Sequence, residues 1–207
     1  NNRFQVSREG VEQINFEPIV SGSTQARFYT SNKFNDPTAW YHFVFKIDTT
    51  QGTASNRYNF NGVETEYGGT GGEVVTTSYP SQNTQFLWGS TIQHNIGRRS
   101  YGDLDEASMG IAELHYTSGY AYDATAFGYF DDQTGIWRPK KYTGSYGSAG
   151  WHLDFSDKTS TTTLGYDKSG NGNHFTASGI SVSSGSGNDS LLDTPTNVFC
   201  TLNRLFN

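Results

Sequence analysis

Apolar and polar residues alternate with a period of two along much of this chain. In WYHFVFKIDTT, residues 40–50, Tyr41, Phe43, Phe45 and Ile47 fall on one side, and Trp40, His42, Val44, Lys46 and Asp48 on the other. Strand side chains point alternately to the two faces of a sheet, so one face here is wholly apolar and the other mixed. A helical reading groups Tyr41, Phe45 and Asp48, which is a poor apolar face. The pattern predicts a central strand over 40–48 with Tyr41, Phe43, Phe45 and Ile47 in a core, and its aromatic and β-branched content agrees.

The same alternation predicts strands in RFQVSREG, VEQINFEPIV and TQARFYTSNKF, the last turning at Ser31–Asn32. Asp36–Pro37 marks a turn before the aromatic strand. NRYNFNGVETE carries Asn61–Gly62 between short alternating runs. That is a hairpin signal, because both central positions of a type I′ turn need positive φ. GGTGG at 68–72 is a loop, and VVTTSYPSQNTQFLWG reads as mostly loop. TIQHNIGRR reads as a strand, and so does MGIAELHYTSG, with Ile111, Glu113 and His115 opposite Ala112, Leu114 and Tyr116. YDATAFGYFDD is the one short helix expected, with Asp123 as its N-cap. WHLDFSD is a further strand, whereas the Gly/Ser/Asn-rich stretch 169–190 is too polar for a core and should run over a surface. Leu191, Leu192, Phe199 and Phe206 then give this polar arm an apolar end expected to dock on a neighbour or a following domain.

Composition narrows what such a chain can be. Only 33% of the 207 residues are hydrophobic, but 13 Tyr, 14 Phe and 4 Trp bring large buried area per residue, and 24 Gly suit a turn-rich fold. An antiparallel sandwich needs only alternate positions apolar. The net charge of −6 and the isolated pairs Arg98–Arg99 and Lys140–Lys141 argue against a phosphate-binding surface, so no nucleic-acid partner is expected. One cysteine, Cys200, rules out an intrachain disulfide and reads as a half-buried thiol. No apolar run of about 18 residues is present, so no membrane insertion is expected. No leader of charged then apolar residues is visible, and the start NNRFQVSREG points to a processed chain or a fragment.

DPTAWYHFVFKIDTTQGTASNRYNFNGVE, followed in order by YPSQNTQ, HNIGRR and MGIAELHYTSGYAYDATAFGYFD, resembles the LamG-like, concanavalin A-like jelly-roll domains. DDQTGIWRPKKYTGSYGSAGWHLDFSD and LGYDKSGNGNHFTASGISVSSGSGNDSLLDTPTN resemble a narrower group, the marine and cyanophage-like fibre or virion-surface proteins of phages that carry this domain. The likeness spans roughly 34–197. It departs at Tyr58-Asn59-Phe60-Asn61-Gly62, where the family has an aliphatic-Tyr-Val-Asn-Gly run. The part matching 1–33 is short, and family chains continue beyond Asp-Thr-Pro-Thr-Asn at 193–197, so material is expected to be missing at both ends.

The resemblance implies an all-β antiparallel two-sheet jelly-roll sandwich with one short helix. The jelly roll would occupy 1–142, and 143–207 would hold a C-terminal strand and an extended polar arm, or the start of a following domain. It further implies a phage virion structural protein, of tail fibre or capsid surface, made in the bacterial cytoplasm. Other copies of itself, other virion proteins and a host-surface glycan are its expected partners, and a free bacterial carbohydrate-binding lectin module is the alternative.

Candidate chemistry is sparse. Glucanases of this fold superfamily carry Glu, Asp and Glu at offsets zero, two and five on one strand face, and glycoside hydrolysis needs two carboxylates about 5–9.5 Å apart. The nearest run is Asp103-Leu104-Asp105-Glu106 with Ser108 where the last acid should be, and Glu113 reads as standing alone, so no enzymatic activity is expected. GGTGG lacks a Lys for a phosphate loop, and no nucleophile elbow is present. LamG-like domains often hold Ca2+ at a sheet edge with carboxylates and carbonyls. Asp103, Asp105 and Glu106 are the candidate ligands, with Asp131–Asp132 and the oxygen-rich Asp167, Asn171 and Asn173 as further acid-bearing loops; Gly170 and Gly172 make the last equally a tight turn. His42, His94, His115, His152 and His174 are scattered, show no zinc spacing and read as structural. Trp40, Trp137 and Trp151 read as core or core rim. Trp88, Tyr101, Tyr120 and Tyr122 fall in loops and are the candidate contacts for a glycan or a protein interface.

Overall fold

The computed structural model describes residues 3–9, 13–20, 23–24, 27–30, 36, 39–51, 57–66, 74–78, 80–90, 94–97 and 109–190. It is built of short antiparallel strands. β1 (Arg3–Glu9), β2 (Gln13–Val20), β3 (Ser23–Thr24), β4 (Arg27–Thr30) and β8 (Val74–Ser78) form one sheet in the order β1-β2-β4-β8, with β3 also on β2. A register irregularity lies between Arg27 and Phe28 where β4 meets β8. β5 (Phe43–Lys46), β6 (Arg57–Phe60) and β7 (Val63–Glu66) form a second sheet. β10 (Gly128–Phe130) pairs with β11 (Trp137–Pro139), and β9 (Leu114–Tyr116) pairs with β12 (Trp151–Leu153). Among the described residues no helix is long and apolar enough to cross a membrane.

Among the described residues the aromatic strand is shorter than expected and is the outer rather than a central member of its sheet. Only Phe43–Lys46 ladder, and β5 is the outer member of the order β5-β6-β7. Its apolar side behaves as the alternation requires: Phe43 lies opposite Phe60, their rings 5.7 Å apart, and Tyr41 adds a ring 5.9 Å from Phe60. The mixed side is covered as well. Trp137 Nε1 donates to His42 Nδ1 at 3.1 Å, and Phe130 meets Trp137 edge-on at 4.9 Å. Tyr41, Phe43, Phe45 and Ile47 are all half-buried rather than sealed in a core.

Asn61–Gly62 forms the expected hairpin turn between β6 and β7, with φ of 45° and 81°. Asn61 also clasps the neighbouring strand. Its Oδ1 accepts from the His42 N–H at 2.8 Å and its N–H donates to the His42 carbonyl at 2.9 Å. A Cβ on Gly62 would enter the Trp137 ring, so the turn glycine also gives Trp137 its seat.

Other expectations shift. Val74–Ser78, read as loop, is strand β8, and Leu87–Gly89 is a 3₁₀ turn. Within TIQHNIGRR the described residues 94–97 are not a strand. The expected helix is a single 3₁₀ turn, Ala124–Ala126; Asp123 stands at its N-cap but makes no capping bond, because its carboxylate pairs with Lys46. Among the described residues the one α-helix is elsewhere, at α1 (Thr161–Leu164), closed by a capping box in which Ser160 Oγ accepts from the Thr163 N–H and Thr163 Oγ1 accepts from the Ser160 N–H.

The chain divides into two compact units, one of residues 1–109 and 118–145, the other of 110–117 and 146–207. The second takes 110–117 because β9 has its strand partner in β12. Its core is small. Leu153 is 1% exposed and Leu164 is buried with it, while Trp151 meets Phe175 edge-on at 5.0 Å. The stretch from 169 to 190, for which the sequence left loop or extended strand open, runs as turns and loops.

Candidate functional site

In the first unit, an aromatic ladder leads from the interior to the surface. Buried Tyr142 donates its hydroxyl to the Ser145 carbonyl at 2.7 Å and stacks on Phe127 at 4.7 Å. Tyr122 rests edge-on against Tyr142 at 5.6 Å, and Tyr120 stacks on Tyr122 at 5.4 Å, 16° from parallel. Tyr120 remains 48% exposed, so a held ring presents itself to solvent. Two of the four expected contact aromatics are thus brought together. Trp88 is half-buried and stacked on Phe86 at 4.9 Å instead. Tyr101 lies outside the described residues, as do Asp103, Asp105, Glu106, Leu191, Leu192, Phe199 and Phe206. Tyr129, Phe130 and Ile136 also reach solvent from the β10–β11 hairpin.

The two described acidic loops are wired as turns. Asp131 Oδ1 accepts from the N–H groups of Gln133 and Thr134 at 3.1 and 2.9 Å and from Thr134 Oγ1, and Oδ2 pairs with Arg138 at 3.0 Å. Hydrogen bonds from Thr134 hold its carboxyl below the usual range. Asp167 is 7% exposed, and its Oδ1 accepts from the N–H groups of His152 and Ser169, both at 2.8 Å. Its Oδ2 accepts from Ser169 Oγ and the Asn173 N–H, both at 2.9 Å. Burial pushes the Asp167 carboxyl up, and these four donors more than offset it, so its pKa is lowered. The amides of Asn171 and Asn173 donate to the Gly150 carbonyl, turning their NH2 groups inward, and Gly170 and Gly172 take positive φ as the tight-turn reading requires.

The same loop positions a second cluster. His152 gives its N–H to Asp167, and its carbonyl accepts from the Lys168 N–H at 2.8 Å. Both backbone groups therefore point away from β9. That makes His115 and His152, directly opposite in register, a non-hydrogen-bonded pair, the position at which cross-strand side chains come closest. Their rings stack at 4.1 Å, 15° from parallel. Glu113 sits two residues before His115 in a left-handed conformation, φ 52°, an uncommon state for a non-glycine residue. Its Oε2 accepts from His152 Nε2 at 2.8 Å and lies 3.5 Å from His115 Nε2. Glu113 does not stand alone, as the sequence suggested. Hydrogen bonding to His115 and His152 holds its carboxyl at about 2. Tyr146 closes the back, its hydroxyl bonded to His115 Nδ1 at 2.9 Å; burial, then the charges of Glu113 and Asp167, pushes that phenol up to about 12.

The scattered-histidine reading missed this grouping. Glu113 and His115 are visible as same-face neighbours, but His152 reaches them only through a strand pairing across the intervening chain. No protein-family model, no curated protein and no solved structure matches this chain.

Proposed function

We propose that this chain is a structural component of a phage virion, in a tail fibre or on the capsid surface, and that it serves assembly and adhesion to a host-surface glycan without catalysing a reaction. Its partners are then other copies of itself, other virion proteins and the glycan. The finer architecture proposed with it is the concanavalin A-like jelly roll of the family it resembles. The observation that carries the adhesive part is the Tyr120–Tyr122 stack, braced on buried Tyr142. A ring already immobilised loses little entropy when a flat sugar face lies against it, and rigid aromatic anchors recur where affinity concentrates. The solvent-facing Tyr129, Phe130 and Ile136 supply apolar surface of the kind that assembly covers.

Binding of the chain to polysaccharide from candidate bacterial hosts, read by calorimetry, tests the adhesive part. Tyr120→Ala should weaken it at least tenfold while Trp88→Phe leaves it within twofold. Detection of the chain in purified particles tests the virion part. Glycan binding by a chain absent from particles would favour the free lectin module, and neither result would leave the reading standing if both came out negative.

A further inference from the structure

We propose that Glu113, His115 and His152 bind one divalent transition-metal ion of the zinc class, with Nε2 of each imidazole and one Glu113 oxygen as ligands and water in the fourth position. The three residues offer ligand atoms that all lie within 4.8 Å of one another. For metal–ligand bonds of ~2.0–2.1 Å a tetrahedron places its donors roughly 3.3 Å apart. The Glu113 oxygen already stands 2.8 Å from one imidazole nitrogen and 3.5 Å from the other, on either side of that value. Two imidazoles and a carboxylate suit zinc, cobalt, nickel or copper, whereas calcium and magnesium take oxygen donors.

The surroundings are those of a held site. The imidazole side chains are 14% and 18% exposed while the Glu113 side chain is 51% exposed, so the rings are held largely by protein and the carboxylate side admits an ion from solvent. With Nε2 on the metal, His115 carries its proton on Nδ1 and donates it to the Tyr146 oxygen, an outer hydrogen bond of the kind that orients metal-bound imidazoles. His152 is fixed by its own backbone bonds to the Asp167 loop. One rearrangement is needed. A metal lies in the plane of each imidazole that binds it, so the two nearly parallel rings must turn about their Cβ–Cγ bonds until their planes converge. The ion would replace a stacked pair with a covalent tie between β9 and β12, and three protein ligands leave a position open to water.

The test uses the full chain, stripped with chelator and titrated with Zn2+ alone. The expected result is saturation at one equivalent and a rise in melting temperature, neither reproduced by Ca2+. Removing an outer hydrogen-bond partner commonly weakens metal binding ~10–100-fold, so Tyr146→Phe should fall in that range and the His115→Gln, His152→Gln double variant beyond it. Because that double variant can lose its fold, the unmodified chain is also titrated with Co2+ and followed by amide NMR. Signals of 113–116 and 151–153 should shift or broaden first. Absence of one-equivalent binding, binding retained by the folded double variant, or cobalt effects centred elsewhere would each overturn the site.

Discussion

Asp167→Ala removes the acceptor for three backbone N–H groups and one hydroxyl at once. A buried donor left unsatisfied costs about 1–3 kcal/mol. All three N–H groups are part-buried; the His152 N–H, which belongs to strand β12, is assigned about 2 kcal/mol, and the Ser169 and Asn173 N–H groups, which belong to a loop free to re-form bonds elsewhere, about 0.5 kcal/mol each. The total of about 3 kcal/mol is a large share of the ~5–15 kcal/mol that stabilises a domain. Asp167→Asn can keep its oxygen toward the His152 and Ser169 N–H groups and turn its NH2 toward the Asn173 N–H, so a loss of only about 0.5–1 kcal/mol is expected. Hydrogen exchange by NMR isolates the effect: at about 1.4 kcal/mol per factor of ten, the His152 amide should lose roughly thirtyfold of its protection in Asp167→Ala. An Asp167→Ala chain with an unchanged His152 amide, or an Asn variant worse than the Ala variant, would refute this account of the loop.

Gly150→Ala should destabilise by at least about 1–3 kcal/mol in thermal melts, since the added Cβ would lie 2.6 Å from the Tyr116 carbonyl oxygen and closer still to that of Tyr146. Trp137→Ala should cost about 2–3 kcal/mol, below the range for fully buried tryptophan because the ring is half-exposed, and should loosen the Asn61–Gly62 turn in the same exchange experiment. Ser160→Ala should destabilise α1 by ~0.5–2 kcal/mol through loss of its cap, seen as faster exchange at the Thr163 amide. Because the Glu113 carboxyl is lowered from 4.5 to about 2, its stabilising contribution is complete above the unfolded value and is lost as pH falls toward the folded one. Melting temperature should therefore drop between those two values more steeply in the native chain than in Glu113→Gln.

What the sequence disclosed depended on how local the physics is. Alternation over seven or eight residues located β1 and β2, and Asn61–Gly62 announced its turn because the need for positive φ is written in two adjacent residues. Helix α1 escaped because Thr161, Thr162 and Thr163 are β-branched and favour extended backbone, and its capping box uses Thr at the position where Glu or Gln is the usual cue. The Asp123 cap failed because a distant Lys46 competes for the carboxylate. The Glu113, His115 and His152 cluster was half legible: the first two share a face by spacing, but strands of three residues carry too little pattern to specify which strand brings the third.

The division of the chain at 145 and 146 has a consequence for anyone dissecting it. The boundary expected from the sequence, at 142/143, lies close by and invites a cut, yet the second unit owns the earlier segment 110–117, so residues 118–145 are an excursion whose two ends must be brought together before β9 can meet β12. A fragment starting at 146 would lack β9 and expose the β12 edge, and one ending at 145 would carry β9 as an orphan strand. Neither piece is a transplantable module. Mixed together, the two should recover the β9–β12 ladder by complementation, with the Trp151 indole as a built-in reporter lying 6.0 Å from Tyr116 across the cut.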